Sequence, residues 1–184
     1  MALSWWMKIG IALFLMAWGM CVTGWAIGFV EWRRFRTGHP AAASRGLVLT
    51  KCTAATRGSS AESLRGVGGA RAASQNILLF PLNLPYASSI SCSVFWFGRA
   101  VVDQDQVDIV ARVPLGHVIF VIGWFMSAIL MTAMLVAAGA VIIALAAISV
   151  QCVFALSYRN NLRRERQAAE LFVRTFARCL ERAA

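Results

Sequence analysis

The stretch VIFVIGWFMSAILMTAMLVAAGAVIIALAAISVQCVFAL, residues 118–156, contains no Asp, Glu, Lys or Arg, and the charge-free run around it extends from Val113 to Tyr158. A run of about 18 or more apolar residues reads as a transmembrane helix, because hydrocarbon offers the backbone no hydrogen-bonding partner and a helix satisfies its own N–H and C=O groups. This run is too long for one straight crossing. As a single helix its 39 residues would extend roughly 58 Å, against a hydrocarbon core of about 30 Å. Either the segment 117–157 folds as a hairpin, with legs near Val118–Ala137 and Ala140–Leu156 turning at Ala138-Gly139, or it is one long helix that leaves the bilayer and packs its excess against protein. Gly139 has no Pro, Asn or Asp beside it, so the turn signal is modest.

The charge distribution favours the hairpin. The chain carries a formal net charge of +10, and its cations are unevenly placed. Lys8 alone precedes the first apolar segment; Arg33, Arg34, Arg36 and Arg45 follow it; Arg99 and Arg112 precede the long run; Arg159, Arg163, Arg164 and Arg166 follow that. Basic flanks prefer the cytoplasmic side. Three spans put all these clusters on one side, whereas two spans place either the loop's Lys and Arg or those of the tail on the disfavoured side.

The first span is expected within 5–30. Ile9–Val30 is uncharged, opened by Trp5-Trp6 and closed by Glu31-Trp32-Arg33-Arg34, the aromatic and cationic anchors of a membrane interface. A cleaved signal peptide is the competing reading, but this apolar stretch exceeds the usual core of about 7 to 15 residues. Gly24 and Gly28 form a GxxxG step that lets another helix approach closely, with Gly19 and Thr23 adding a second small pair. The expected partner is this chain's own Ala-rich run, Ala133, Ala137, Ala140 and Ala144.

Residues 33–114 change character. Leu47–Thr53 and Ile77–Phe80 are short apolar or β-branched stretches, Ile90–Trp96 alternates apolar with serine, and Val107, Ile109, Ala111 and Val113 alternate with Asp108, Val110 and Arg112. Period-two alternation means strand. The unit expected is a small antiparallel β-domain with a mobile Gly/Ser/Ala/Arg-rich loop over 54–75, too poor in large apolar residues to offset chain entropy. A β-domain of this size is expected to lean on the membrane or a partner. The fold class is therefore an α+β membrane protein: two or three transmembrane helices, the β-domain between the first and second, and a C-terminal amphipathic helix.

The order helix, strand-rich domain opening on Gly46-Leu47-Val48, strands from Ile90 through Phe97-Gly98 and Val107–Pro114, then helix, resembles the DUF3592 family of small membrane proteins. The pattern covers about two thirds of the chain. This sequence departs from it at Arg112-Val113-Pro114, where an acidic-Pro step is expected. The resemblance implies a topology and no chemistry.

Signals for chemistry are sparse. Asp103, Asp105 and Asp108 have the alternate spacing of a calcium loop, but no Gly follows at the sixth position and Pro114 stands where the closing Glu belongs, so a solvated turn is expected. His39 lies in a turn-like linker, and His117 is read as a polar interfacial residue capping the helix rather than a proton relay. Neither joins a metal-binding spacing, and the serines lack a nucleophile elbow. Cys21, Cys52, Cys92, Cys152 and Cys179 are odd in number and scattered, and are expected as free thiols. The absence of charge inside the spans argues against a pump or ion carrier formed by this chain alone.

The tail, 158–184, places Leu162, Ala169, Phe172, Val173, Phe176 and Leu180 on one stripe, with Arg163, Arg164, Arg166, Arg174 and Arg178 on much of the rest. That is a basic amphipathic helix. Arg163, Arg164, Phe172 and Phe176 are its expected contacts with anionic lipids at the bilayer surface, or with a protein partner or second copy; nucleic acid is not expected. Two roles remain open from sequence: a non-catalytic accessory or scaffolding subunit of a membrane complex, and a small homo-oligomeric channel or transporter component. No enzyme activity, cofactor or metal is expected, and the localisation is an unspecified membrane.

Overall fold

A computed structural model describes residues 5–55, 64–65, 70–80, 96–103 and 106–183. The order of elements is α1 (Trp5–Arg36), β1 (Leu47–Ala55), β2 (Arg71–Ser74), β3 (Ile77–Phe80), β4 (Phe97–Asp103), β5 (Gln106–Val113), α2 (Leu115–Ala137) and α3 (Val141–Ala183). All three helices are long and apolar enough to cross a membrane. The apolar run is a hairpin: α2 ends at Ala137 with Ala138 as its C-cap, Gly139 takes φ +77°, and α3 begins two residues later. A left-handed turn residue without a Cβ suffices to reverse the chain, so no Pro or Asn is needed beside it.

The strands form one antiparallel sheet in the order β1-β5-β4-β3-β2. The alternation expected over Val107–Val113 is realised, with Val107, Ile109, Ala111 and Val113 each no more than 1% exposed. Asp103 and Gln106 close the β4–β5 hairpin as paired residues. A bulge between Val48 and Thr50 turns Leu49 into the core. Gly46, at φ +126°, leaves no room for a Cβ, which would stand 2.0 Å from the Val113 carbonyl oxygen.

Two expectations change. The loop drawn over 54–75 is shorter at both ends, because Ala54 and Ala55 extend β1 and Arg71–Ser74 form β2; Leu64 within it is 1% exposed in the core. A single large side chain anchors a stretch that is otherwise too polar to bury itself. Ile90–Phe95, including Cys92, lie outside the described residues, as does most of the strand expected there; β4 begins just beyond, at Phe97.

The second change concerns the tail. α3 is longer than one crossing needs: at about 1.5 Å per residue its 43 residues extend roughly 64 Å, twice a hydrocarbon core. Its second half lies across the sheet and closes the core, with Ala169, Val173, Phe176, Ala177 and Leu180 packed among Leu78, Phe80, Ala100, Val107 and Ile109. Alanines at 169 and 177 bring the helix close to the strands. Phe176 sits 4.4 Å from Phe80 between ring centroids, and Trp96 donates from Nε1 to Glu165 Oε2 at 3.0 Å. The sheet thus leans on its own chain's last helix, where a partner or the bilayer was expected.

Candidate functional site

The three apolar helices make two contacts of different kind. Between α1 and α2 the backbones nearly touch. A Cβ on Gly24 would stand 2.4 Å from the Phe120 nitrogen, one on Gly116 2.1 Å from the Gly28 nitrogen, and one on Gly123 2.9 Å from the Ala17 oxygen. With Ala17 1% and Cys21 8% exposed, small residues on both helices form one seam. The GxxxG step therefore packs, but on Gly116, Phe120 and Gly123 at the start of α2 and not on the alanines; of these only Ala144 is buried, while Ala133 and Ala137 are exposed. Gly19 faces away, with nothing within 4 Å of a Cβ placed there.

The same approach brings Glu31 to the first turn of α2. Pro114 precedes that helix without a side-chain cap; instead the Leu115 and Gly116 N–H groups donate to Glu31 Oε1 at 3.3 Å and Oε2 at 3.0 Å. A carboxylate there satisfies two of the four orphan donors of the helix and sits at the positive end of its dipole. The His117 ring lies against Tyr158 of α3, 6.2 Å between centroids.

Between α2 and α3 contact is sparse. Gln151 Nε2 donates to the Ala128 carbonyl at 2.9 Å and to Thr132 Oγ1 at 2.7 Å, whose hydroxyl donates in turn to the same carbonyl. Toward the sheet lies a cleft of about 310 Å³, walled by His117, Phe120, Val121, Trp124, Phe154 and Tyr158. Trp124 and Phe154 stand 5.1 Å apart in its deeper part. Most of the apolar half of α3 is bare: Ile142 is 84% and Val153 63% exposed.

Beyond the apolar half of α3, Arg163 and Arg164 are exposed as expected; Phe176 is buried against Phe80, and Phe172, which packs on the same ring, is half-buried. An apolar stripe must be covered, and the sheet covers it first. Asp108 is not part of a cation loop either: it sits within β5 opposite Val101, bonded across to Lys51 at 3.1 Å and Thr53 at 2.9 Å. These hydrogen bonds, that from Lys51 foremost, hold its carboxyl below the ordinary value of 3.8. Asp105 lies outside the described residues, and among those described no group of His, Cys, Asp or Glu is arranged for a metal. His39 accepts at Nδ1 from the Ala41 N–H within its turn. On the sheet face away from α3, Phe97 stacks on Phe35 of α1 at 4.5 Å, and burial followed by the nearby Arg112 lowers the pKa of Arg99 from its ordinary value. Glu31 and the cleft were the features sequence reasoning missed. A carboxylate beside a basic interface reads as an ordinary anchor, and only the seam shows which helix end it meets. Comparison with protein-family models, with curated proteins and with solved structures finds no match to this chain.

Proposed function

We propose that this chain is an integral membrane scaffold: a non-catalytic accessory subunit that crosses the bilayer three times and holds a small β-platform rigidly at one membrane surface. The observation that carries this reading is the continuity of α3, whose first half is an exposed apolar span and whose second half is a structural layer of the sheet domain. The platform is tied down at a second place by Phe35 against Phe97. Such a body fixes the orientation of its surface relative to the membrane, which is what a docking subunit needs. Among the described residues every Lys and Arg except Lys8 belongs to the sheet end, so that end faces the cytoplasm or its equivalent and presents cations to anionic headgroups or partners. The DUF3592-like order of elements is part of the same proposal.

Two measurements test it. An impermeant maleimide applied to sealed vesicles is expected to reach Cys52 and Cys179 from the same side and to leave Cys21 and Cys152 protected; labelling from opposite sides overturns the three-span arrangement. Solubilised in mild detergent from its own cells, the chain is expected to run in a complex with other chains at a fixed ratio. A homo-oligomer that conducts ions when reconstituted in liposomes overturns the scaffold in favour of a channel component.

A further inference from the structure

On the sheet face turned away from α3, β4 and β5 bring two arginines together. Phe97 pairs with Arg112 and Arg99 with Val110, so Arg99 and Arg112 are diagonal neighbours on one face, about 7–8 Å apart at such positions. Both are half-buried. Arg99 Nε is shut off from solvent without a hydrogen-bond partner, and no ion pair reaches this guanidinium among the described residues. Arg112 donates from Nη1 to the Ser44 carbonyl, a neutral acceptor that leaves its charge uncompensated. Burial, and then the Arg112 charge, push the Arg99 pKa below its ordinary value, and no acid acts in the other direction.

The chain's acids are engaged or placed elsewhere. Glu31 holds the end of α2, Asp108 is tied to Lys51 and Thr53, Glu165 accepts from Trp96, and Glu170 pairs with Arg174. Asp103 stands farther along β4, about 13 Å from Arg99, and Glu181 belongs to α3 across the sheet. Glu62 and Asp105 lie outside the described residues, and the β3–β4 connection over 81–95 contains no acid. Further cations surround the pair: Arg33 and Arg34 in the last turn of α1, whose Phe35 stacks on Phe97, and Arg45 beside Ser44. Like charges held together with part of their hydration removed cost free energy until an anion joins them.

The charge and the donors select a dianion. A carboxylate brings one charge and two oxygens, whereas a phosphomonoester at pH 7 brings roughly −1.5 to −2 and three acceptor oxygens, enough for two guanidinium forks. Arg112 is also close to the start of α2 at Leu115, at most about 10 Å of extended chain away. We propose that Arg99 and Arg112 form a binding site for a phosphomonoester group, carried by a lipid headgroup or by a small soluble phosphate. The proposal deepens the reading of the sheet as a platform at the membrane surface and rests on that reading for the lipid source alone.

Native mass spectrometry of the full chain in a nonionic detergent tests it, with phosphatidic acid and phosphatidylglycerol of identical acyl chains as probes, a monoester against a diester. The wild type is expected to retain phosphatidic acid at least about fivefold better, and Arg99→Met and Arg112→Gln each to lose about tenfold. Arg178→Gln, exposed on α3, is expected to change nothing. Glycerol phosphate separates the sources: a rise in apparent Tm with this probe assigns the soluble ligand, and phosphatidic acid retention without that rise assigns the lipid. Either response is expected to vanish in Arg99→Met. Without any phosphate, Arg99→Met keeps the buried stem, removes the charge and is expected to raise apparent Tm by about 2 °C. A fall instead shows a guanidinium already satisfied within the chain and overturns the site. Equal retention of both lipids with no response to glycerol phosphate, or binding unchanged in Arg99→Met, overturns it as well. Alkaline extraction reads the platform separately: a chain that stays in the membrane and binds no monoester refutes the site alone, and one that washes out yet answers glycerol phosphate refutes the platform and keeps the site.

Discussion

The α1–α2 and α2–α3 contacts are built from opposite materials. In the first, glycines at 24, 116 and 123 leave out side chains that would collide with the facing helix, and Glu31 locks the end of one helix onto the other. In the second, Gln151 makes the polar link, Ala144 is the buried residue in the apolar half of α3, and aromatic rings wall a cleft toward the sheet. Lipid is as apolar as leucine, so helices in a bilayer gain little from hydrophobicity alone and associate through close packing and hydrogen bonds. The first pair has both over its length. The second pair has one link, and α3 is positioned instead from outside the membrane by the sheet that its distal half covers. One span is thus held by its neighbour and another by its own extension.

This contrast can be broken in order of severity. Gly116→Leu is expected to be the largest effect, more than about 5 kcal/mol, because the obstacle to the new side chain is the backbone at Gly28 and Gly24 and cannot step aside; loss of the monodisperse peak in detergent reads it, and Gly19→Leu, facing open space, leaves the peak unchanged. Phe176→Ala empties the sheet–helix core beside Phe80 and is expected to cost about 3–5 kcal/mol, releasing the distal half of α3 to protease while α1 and α2 stay protected. If α1 and α2 are digested equally fast, the two regions are not independently held. Glu31→Ala leaves two helix-end N–H groups without their acceptor and is expected to cost about 1–2 kcal/mol, seen as a fall in apparent Tm, with Glu31→Gln losing less than half as much. Gln151→Leu is the mildest, about 0.6 kcal/mol. A larger Tm loss for Gln151→Leu than for Glu31→Ala would reverse the ranking of the two contacts.

Several of these features were legible before the fold. The hairpin followed from comparing the length of 118–156 with a bilayer and from the arginines at both ends, and β5 followed from the alternation of Val107, Ile109, Ala111 and Val113. The use of Gly24 and Gly28 for packing was also legible, since their spacing puts both on one helix face. Other features were not. Gly19 shares the composition of the seam but sits on another face, and Arg71–Ser74 are too short and too poor in β-branched residues to show as a strand until β3 pairs with them. The amphipathic pattern of the tail said that Phe172, Val173 and Phe176 would be covered and was silent on what would cover them.

Sequence by itself determined that the chain has long apolar helical runs and where its cations cluster, and it favoured three helices over two, because these depend on local runs and on charge counts along the chain. Tertiary structure alone decided that the tail's stripe meets the sheet and not the bilayer, that Glu31 serves α2, and that α2 and α3 enclose a cleft. Each of those depends on which of two equally apolar or equally polar surfaces arrives first in space, and residues as far apart as Phe80 and Phe176, or Glu31 and Gly116, carry no mark of one another in one dimension.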